Sequence, residues 1–502
     1  MKNKMKGIIT FLLILIAVIM TIGGIYYKIN YPEQEFEQII FYICSGITHT
    51  SPAVTESIIK SCLRPVIVLT LVFWLPTSKF VKKEKYINVI TKKGEKNLQV
   101  YPIAFIRNHR KLYLLILYLI AITTFIIGFG IHKYIANRFI KTSIYEECYV
   151  KAEDVKITFP DKKRNLIIII AESMENSLCS KENGGGWEYS IIPELEQIAM
   201  ENINFSNTEK IGGADQVSGT TFTAGGMVAI TSGNALKIKN PTITSKEVEF
   251  VKGAYSLGEV LSKEGYNLEI MMGSDGRFGG RTQYFLTNGN YKIFDVNYAI
   301  KQGKMTEEEI VWWGFEDDKL FEWSKEELTN LASKKEPFNY IMLTADTHFF
   351  DGYLSKNVEN KFNSQYENVH AYSSKSIHEF VEWVKKQDFY DNTTIVILGD
   401  HLGMQTKFYT SHIDENYKRT IYNAIINSAI EEKNTSNRNF TNMDMYPTIL
   451  ASIGAKIEGE RLGFGTNLFS GVPTLAEELG FEYLKKEVSK YSEYYDKKIL
   501  GY

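Results

Sequence analysis

Residues 165–173 read NLIIIIAES, a Leu/Ile run closed by the carboxylate of Glu172. A run this short and this apolar fits a β-strand covered on both faces. Three further segments repeat the design: NLEIMMGS (267–274), FNYIMLTADTH (338–348) and TTIVILGDH (393–401). Helix-like stretches separate them, at 192–202, 255–264, 305–333 and 365–388. This alternation predicts an α/β domain on a mainly parallel sheet. The residues that end the strands are as informative as those that fill them. Glu172, His348, Asp400 and His401 each follow an apolar run, and ligands of open α/β sheets bind beyond the carboxyl ends of the strands. Singly, such residues are ordinary caps and turns. Four metal- or phosphate-handling side chains along one edge form a constellation.

The N-terminal part obeys a different pattern. Residues 7–27, GIITFLLILIAVIMTIGGIYY, and 112–131, LYLLILYLIAITTFIIGFGI, are uncharged runs of 21 and 20 residues. Each is long enough to cross a hydrocarbon core of about 30 Å. A third span is expected over 58–77, with Lys60 and Arg64 reaching the interface. Ten Lys and Arg residues lie within 79–111, against three in 28–64. The positive-inside rule then places the N-terminus and 79–111 in the cytoplasm and the chain beyond about residue 132 outside. The expected organisation is a membrane domain (1–131), a juxtamembrane linker (132–163) and an extracytoplasmic domain (164–502) of a multi-pass protein of the cell membrane.

Composition narrows the function. The 502 residues carry 57 Lys and Arg against 59 Asp and Glu, a net charge of −2 that gives no reason to bind nucleic acid. Four Cys exclude a disulfide-built scaffold. Among the histidines, His370 and His378 fall eight apart on an expected helix and read as solvent-face residues. His412, eleven residues after His401, is a weaker pocket candidate.

The chemistry concentrates in QVSGTTFTAGGMVAITSGNA (216–235), where hydroxyl residues and glycines run into an apolar stretch able to begin a helix. A helix N-terminus offers unpaired N–H groups and a favourable dipole to phosphate oxygens. A hydroxyl there can attack phosphorus once its pKa is lowered, as coordination to a divalent metal does.

The segments AESMENS (171–177), GTTFTAGGMVA (219–229), TADTHFFDGY (344–353), GDHLGM (399–404) and MDMYPTILASIG (443–454) together resemble the alkaline-phosphatase/sulfatase superfamily. More narrowly they are similar to membrane phosphoglycerol transferases, the phosphoglycerol transferase I and lipoteichoic acid synthase groups. The resemblance covers about residues 165–475. It implies an α/β/α sandwich with a smaller C-terminal subdomain behind the transmembrane helices. Thr223 matches the nucleophile, ahead of Thr220 and Thr221, because TAGGMVAITSG (223–233) has the length of the sulfatase motif. Glu172, Asp400, His401 and the Thr223 oxygen match the ligands of one divalent cation, Mn²⁺ or Mg²⁺. His348 matches a histidine that contacts the substrate phosphate or glycerol, and its imidazole can orient the phosphate or protonate a leaving oxygen. Arg281, in RFGGRTQYF (277–285), matches a substrate-binding arginine. Gly279 stands where lipoteichoic acid synthases have tryptophan, so an identical glycerol pocket is not implied. Thr cannot become the formylglycine of sulfatases, which disfavours sulfate-ester hydrolysis. The implied activity is transfer of phosphoglycerol from phosphatidylglycerol to an envelope glycan, glycolipid or polyglycerolphosphate acceptor through a phosphothreonine intermediate. Phosphoethanolamine transfer and phosphodiester hydrolysis are the alternatives.

Overall fold

The computed structural model describes residues 2–32, 34–45, 52–78, 86–91, 94–99, 106–237, 249–431 and 435–501. The chain divides into two compact units, Met1–Phe36 with Pro52–Ile135, and Glu37–Ser51 with Ala136–Tyr502. The N-terminal helices are α1 (Lys2–Asn30), α2 (Phe36–Ser45), α3 (Pro52–Trp74) and α4 (Arg110–Gly128). Of these α1, α3 and α4 belong to the first unit, while α2 from Glu37 onward belongs to the second. Met5–Asn30, Thr55–Thr77 and Arg110–Gly128 are long and apolar enough to cross a bilayer. Small residues let α1 and α4 touch: a Cβ on Gly24 would lie 2.6 Å from the Thr124 carbonyl oxygen, and one on Gly128 would collide with Gly24. An antiparallel hairpin, Tyr86–Thr91 with Gly94–Gln99, occupies part of the basic segment. Lys79, Lys82, Lys83, Lys85, Lys92 and Lys93 lie outside the described residues.

The second unit is organised by a six-stranded sheet. Its strands are β1 (Asn165–Ala171), β2 (Asn267–Met272), β3 (Lys292–Phe294), β4 (Phe338–Leu343), β5 (Thr393–Gly399) and β6 (Asn423–Ile426). The order is β3-β2-β4-β1-β5-β6, parallel except for β6, which runs antiparallel to β5. Ile168 of β1 pairs with Ile341 of β4 and Val396 of β5. The period-2 alternation of a strand splits β1 between two cores. Leu166, Ile168 and Ile170 enter one, and Ile167, Ile169 and Ala171 the other. That explains why the strands are apolar throughout rather than alternating.

The helices that concern the site are α5 (Pro193–Glu201), α6 (Thr223–Ser232), α7 (Leu257–Lys263), α8 (Arg281–Thr287), α9 (Asp317–Ala332), α10 (Gln365–Lys385) and α11 (Met445–Ser452). The last nine residues of α6 are all buried, and Gly233 ends it in the left-handed conformation at φ 64°. The structure corrects two sequence expectations. The helix expected over 305–333 begins only at Asp317. Gly314 instead bridges to Ser274 and Val311, which pulls the preceding residues into a loop. His370 is fully buried rather than solvent-facing, its ring edge-on to Tyr366 at 4.4 Å between centroids. The face of α10 that carries it, with Tyr366, Val369 and Ile377, packs into the domain. His412 is exposed and stacks on Trp187 at 5.1 Å, away from the site. Cys62, Cys148 and Cys179 are free thiols.

Candidate active site

The strand order brings the relevant chain segments to one edge. β4, β1 and β5 are neighbours, so the segments that leave their carboxyl ends meet. Glu172 follows β1, residues 344–348 follow β4, and Asp400 and His401 follow β5. The Glu172 N–H donates to Thr344 Oγ1 at 3.0 Å, and Thr347 Oγ1 donates to the Glu172 carbonyl at 2.6 Å. Ser173, in the left-handed region at φ 55°, turns its N–H to Asp400 Oδ1 at 2.8 Å and its hydroxyl to Glu172 Oε1 at 2.8 Å. Such a conformation persists only where surrounding contacts over-determine it.

Glu172, Asp400 and His401 form a buried cluster with ligand atoms within 4.8 Å of one another. His401 Nε2 lies 3.3 Å from Asp400 Oδ2 and 3.4 Å from Glu172 Oε1. Its Nδ1 donates to the Leu402 carbonyl at 2.8 Å, which fixes the tautomer and leaves the Nε2 lone pair facing the carboxylates. Asp400 Oδ2 and His401 Nε2 are buried and complete no hydrogen bond. The electrostatics suit a cation. Burial and the Glu172 charge push Asp400 up to about 8. Burial would raise Glu172 too, but the adjacent His401 and His348 imidazoles hold it below the usual carboxylate range. Burial opposes protonation of His401, yet the facing Asp400 and Glu172 raise it. Two buried carboxylates beside an imidazole with an unused lone pair suit a divalent ion.

Thr223 is the first residue of α6, and its hydroxyl donates to Glu172 Oε2 at 3.1 Å. Thr220 is instead fully buried, with its hydroxyl turned to the Val217 carbonyl at 3.1 Å. α6 is held against the Asp400 backbone by the absence of a side chain at Gly226, where a Cβ would lie 2.9 Å from the Asp400 carbonyl carbon. Thr223, Glu172, Arg281 and His348 line one pocket of about 510 Å³, open mouth included. Arg281 is largely buried, and its guanidinium donates to the carbonyls of Phe278 and Asp275 at 2.9 and 2.8 Å. His348 donates Nδ1–H to the Phe349 carbonyl at 2.7 Å, and burial lowers its pKa.

The sequence profile described as Sulfatase matches residues 164–455, more than half of the chain. The chain belongs to the sulfatase family. Among curated relatives, phosphoglycerol transferase I of Shigella flexneri is 27% identical over 325 residues, covering 62% of this chain and 40% of that protein. The match thus spans well under half the length of that relative. The integral membrane protein lipooligosaccharide phosphoethanolamine transferase A of Neisseria meningitidis shares the fold, with TM-score 0.50 at 13% identity over 88% of this chain and 84% of its own. A lipoteichoic acid synthase of Listeria monocytogenes aligns with TM-score 0.48 at 18% identity, over 66% of this chain and 82% of its own.

In this sulfatase-family site several residues escaped the sequence. Asp317, at the start of α9, accepts the N–H groups of Ala345 and Asp346 at 2.8 and 3.1 Å, while Asp346 accepts the Asp317 N–H at 3.2 Å. The reciprocal pair anchors the turn that carries His348. Glu175, within the AESMENS segment, accepts the Gly403 N–H at 2.8 Å and pairs with Arg419, whose Nη2 also reaches the Gly403 carbonyl at 2.7 Å. Trp313 stands edge-on to His348, 4.8 Å between centroids. Its only sequence signal was the doublet Trp312–Trp313, which has no chemical signature of its own.

Proposed function

We propose that this sulfatase-family protein is a membrane-anchored phosphoglycerol transferase, taking phosphatidylglycerol as donor and a cell-envelope glycan, glycolipid or polyglycerolphosphate as acceptor. The observation that carries the reading is the Thr223 hydroxyl 3.1 Å from Glu172, in a pocket shared with Arg281 and His348. Glu172, Asp400, His401 and the Thr223 oxygen would hold one divalent cation, with mostly oxygen donors favouring Mn²⁺ or Mg²⁺. When bound, the ion lowers the pKa of a coordinated hydroxyl and neutralises phosphoryl charge.

Thr223 Oγ1 attacks phosphorus as its proton passes to His348, a new P–O bond forms, the bond to the diacylglycerol oxygen breaks, and His348 gives that proton to the departing oxygen. Arg281 complements the phosphoryl charge. His348, resting neutral through burial, keeps Nε2 for the substrate and takes the proton of the acceptor hydroxyl in the second half-reaction. That hydroxyl displaces Thr223 from phosphorus, His348 returns its proton to Thr223 Oγ1, and the ping-pong cycle is complete. Three helices long and apolar enough to cross a bilayer support the membrane-anchored reading, and the charge bias of 79–111 favours an extracytoplasmic second unit with access to a lipid donor. The test is incubation of the purified full chain with labelled phosphatidylglycerol. The reading expects release of diacylglycerol and an adduct of about 154 Da on the Thr223 peptide. Label from phosphatidylethanolamine on Thr223 instead, or no adduct with either lipid, overturns it.

A further inference from the structure

One wall of the pocket comes from a distant part of the chain. Phe41 belongs to α2, which in sequence lies between the first two long apolar helices. It is nevertheless 3% exposed and part of the core on one face of the main sheet. Its ring lies 5.2 Å, centroid to centroid, from that of Phe222, the residue immediately before Thr223. On another side it meets Gly279. A Cβ at Gly279 would sit 3.7 Å from the Phe41 ring and 3.4 Å from the Ala224 Cβ, so a methyl would just touch and anything larger would need the volume Phe41 fills. The φ of 68° at Gly279 further favours glycine there. Residue 279 is therefore empty of side chain where Phe41 is present.

The pocket consequently has two chemically distinct kinds of lining. Glu172, Thr223, Arg281 and His348 are suited to a phosphoryl group; Phe41, Phe222, Phe278 and Trp313 are aromatic. A bare phosphate has no use for the aromatic lining. The carbon skeleton of a small alcohol esterified to that phosphate does, since its C–H groups lose water against the rings.

We propose that Phe41 is a specificity-determining residue of the donor pocket: set between Gly279 and Phe222, its ring closes over the carbon skeleton of the transferred group and limits that group to about the size of glycerol. The proposal deepens the phosphoglycerol-transfer reading and rests on it for the class of ligand, but its test uses binding and needs no turnover. The Mn²⁺-loaded full chain in detergent is titrated calorimetrically with sn-glycerol 1-phosphate, phosphocholine and inorganic phosphate, for the wild type, Phe41→Ala and Phe41→Leu. In Phe41→Ala the Kd for sn-glycerol 1-phosphate should rise about tenfold more than that for inorganic phosphate, with the preference over phosphocholine reduced. Phe41→Leu, which keeps most of the core volume, should fall between and carries the test if Phe41→Ala does not fold. Equal shifts for all three ligands, no shift, or wild-type protein binding sn-glycerol 1-phosphate no more tightly than phosphate would each overturn the assignment. The donor reading itself stands or falls separately, on the Thr223 adduct.

Discussion

Thr223 and Glu172 are 51 positions apart in sequence, yet the hydroxyl of one donates to the carboxylate of the other at 3.1 Å. The bond joins the first turn of α6 to the end of β1, and so aims a hydroxyl at the place where carboxylates and imidazole converge. Thr223→Ala should lower diacylglycerol release by about 10³-fold or more, and Thr223→Ser by far less, because serine retains the attacking atom. The comparison is made by initial rates on labelled lipid, with circular dichroism to confirm folding. Wild-type transfer by Thr223→Ala would remove Thr223 from the mechanism.

Removal of divalent cations should destabilise the protein as well as silence it. A ligand that binds only the folded state adds about 2.7 kcal/mol at a hundredfold excess over its Kd. Chelated wild-type protein is expected to gain Tm when Mn²⁺ is restored, and Asp400→Asn to gain little or nothing. Equal gains in both proteins would place the ion elsewhere.

Gly226→Ala separates packing from propensity. Alanine in a helix interior is ordinarily more stable than glycine by about 1 kcal/mol. Here the added methyl meets the Asp400 backbone and forces α6 away from it. The variant should lose about ten- to a hundredfold in kcat, as misplacement of a reacting group does, with no gain in Tm. A more stable, fully active Gly226→Ala would show that α6 and the Asp400 loop are not in contact.

Asp317 tests how His348 is held. Asp317→Ala removes the acceptor for the Ala345 and Asp346 N–H groups and should loosen the turn without touching Glu172, Asp400 or His401. A fall of about tenfold in kcat with unchanged Mn²⁺-induced stabilisation is expected. Loss of the Mn²⁺ response together with activity would mean general collapse of the site.

Glu269 gives a pH dependence outside the site. Burial in β2 raises it to about 7 from the ordinary 4.5, against the opposing pull of Lys292, whose Nζ is 3.1 Å away and also reaches Glu327 at 2.7 Å. Between those two pH values the folded state keeps a proton that the unfolded state releases, so stability falls as pH rises through the window. Glu269→Gln should raise Tm by about 2 °C or more at pH 8 relative to wild type, and by less at about pH 4.5. Thermal unfolding in detergent at both pH values decides it; an equal gain at both would assign the effect to packing.

The four strand segments and the residues that close them were legible because burial on both faces leaves a dense Ile/Leu signature. β3 and β6 were not, since three and four residues carry too little pattern, and β6 reverses direction at the sheet edge. Glu172, Thr223, Arg281, His348, Asp400 and His401 could be named from ordered motifs, and the fold gathers them at one sheet edge. The supporting residues could not. Asp317 and Glu175 look like any surface acid until a loop closes over them, and Phe41 meets Phe222 from a helix far earlier in the chain. His370 shows the converse error: its eight-residue spacing from His378 pointed to a solvent face, while the neighbours on α10 that bury it are apolar.

Ser173 bonds to Asp400 across 227 positions, and the cluster it supports is completed only by His401. Chain closure over such a distance is late and slow compared with local structure. A ribosome-bound or truncated chain that stops before residue 401 has every residue of β1 and α6 but an incomplete ligand set. A chain lacking residue 401 therefore presents the Thr223 hydroxyl without the ligand set that the proposed attack on a phosphodiester requires.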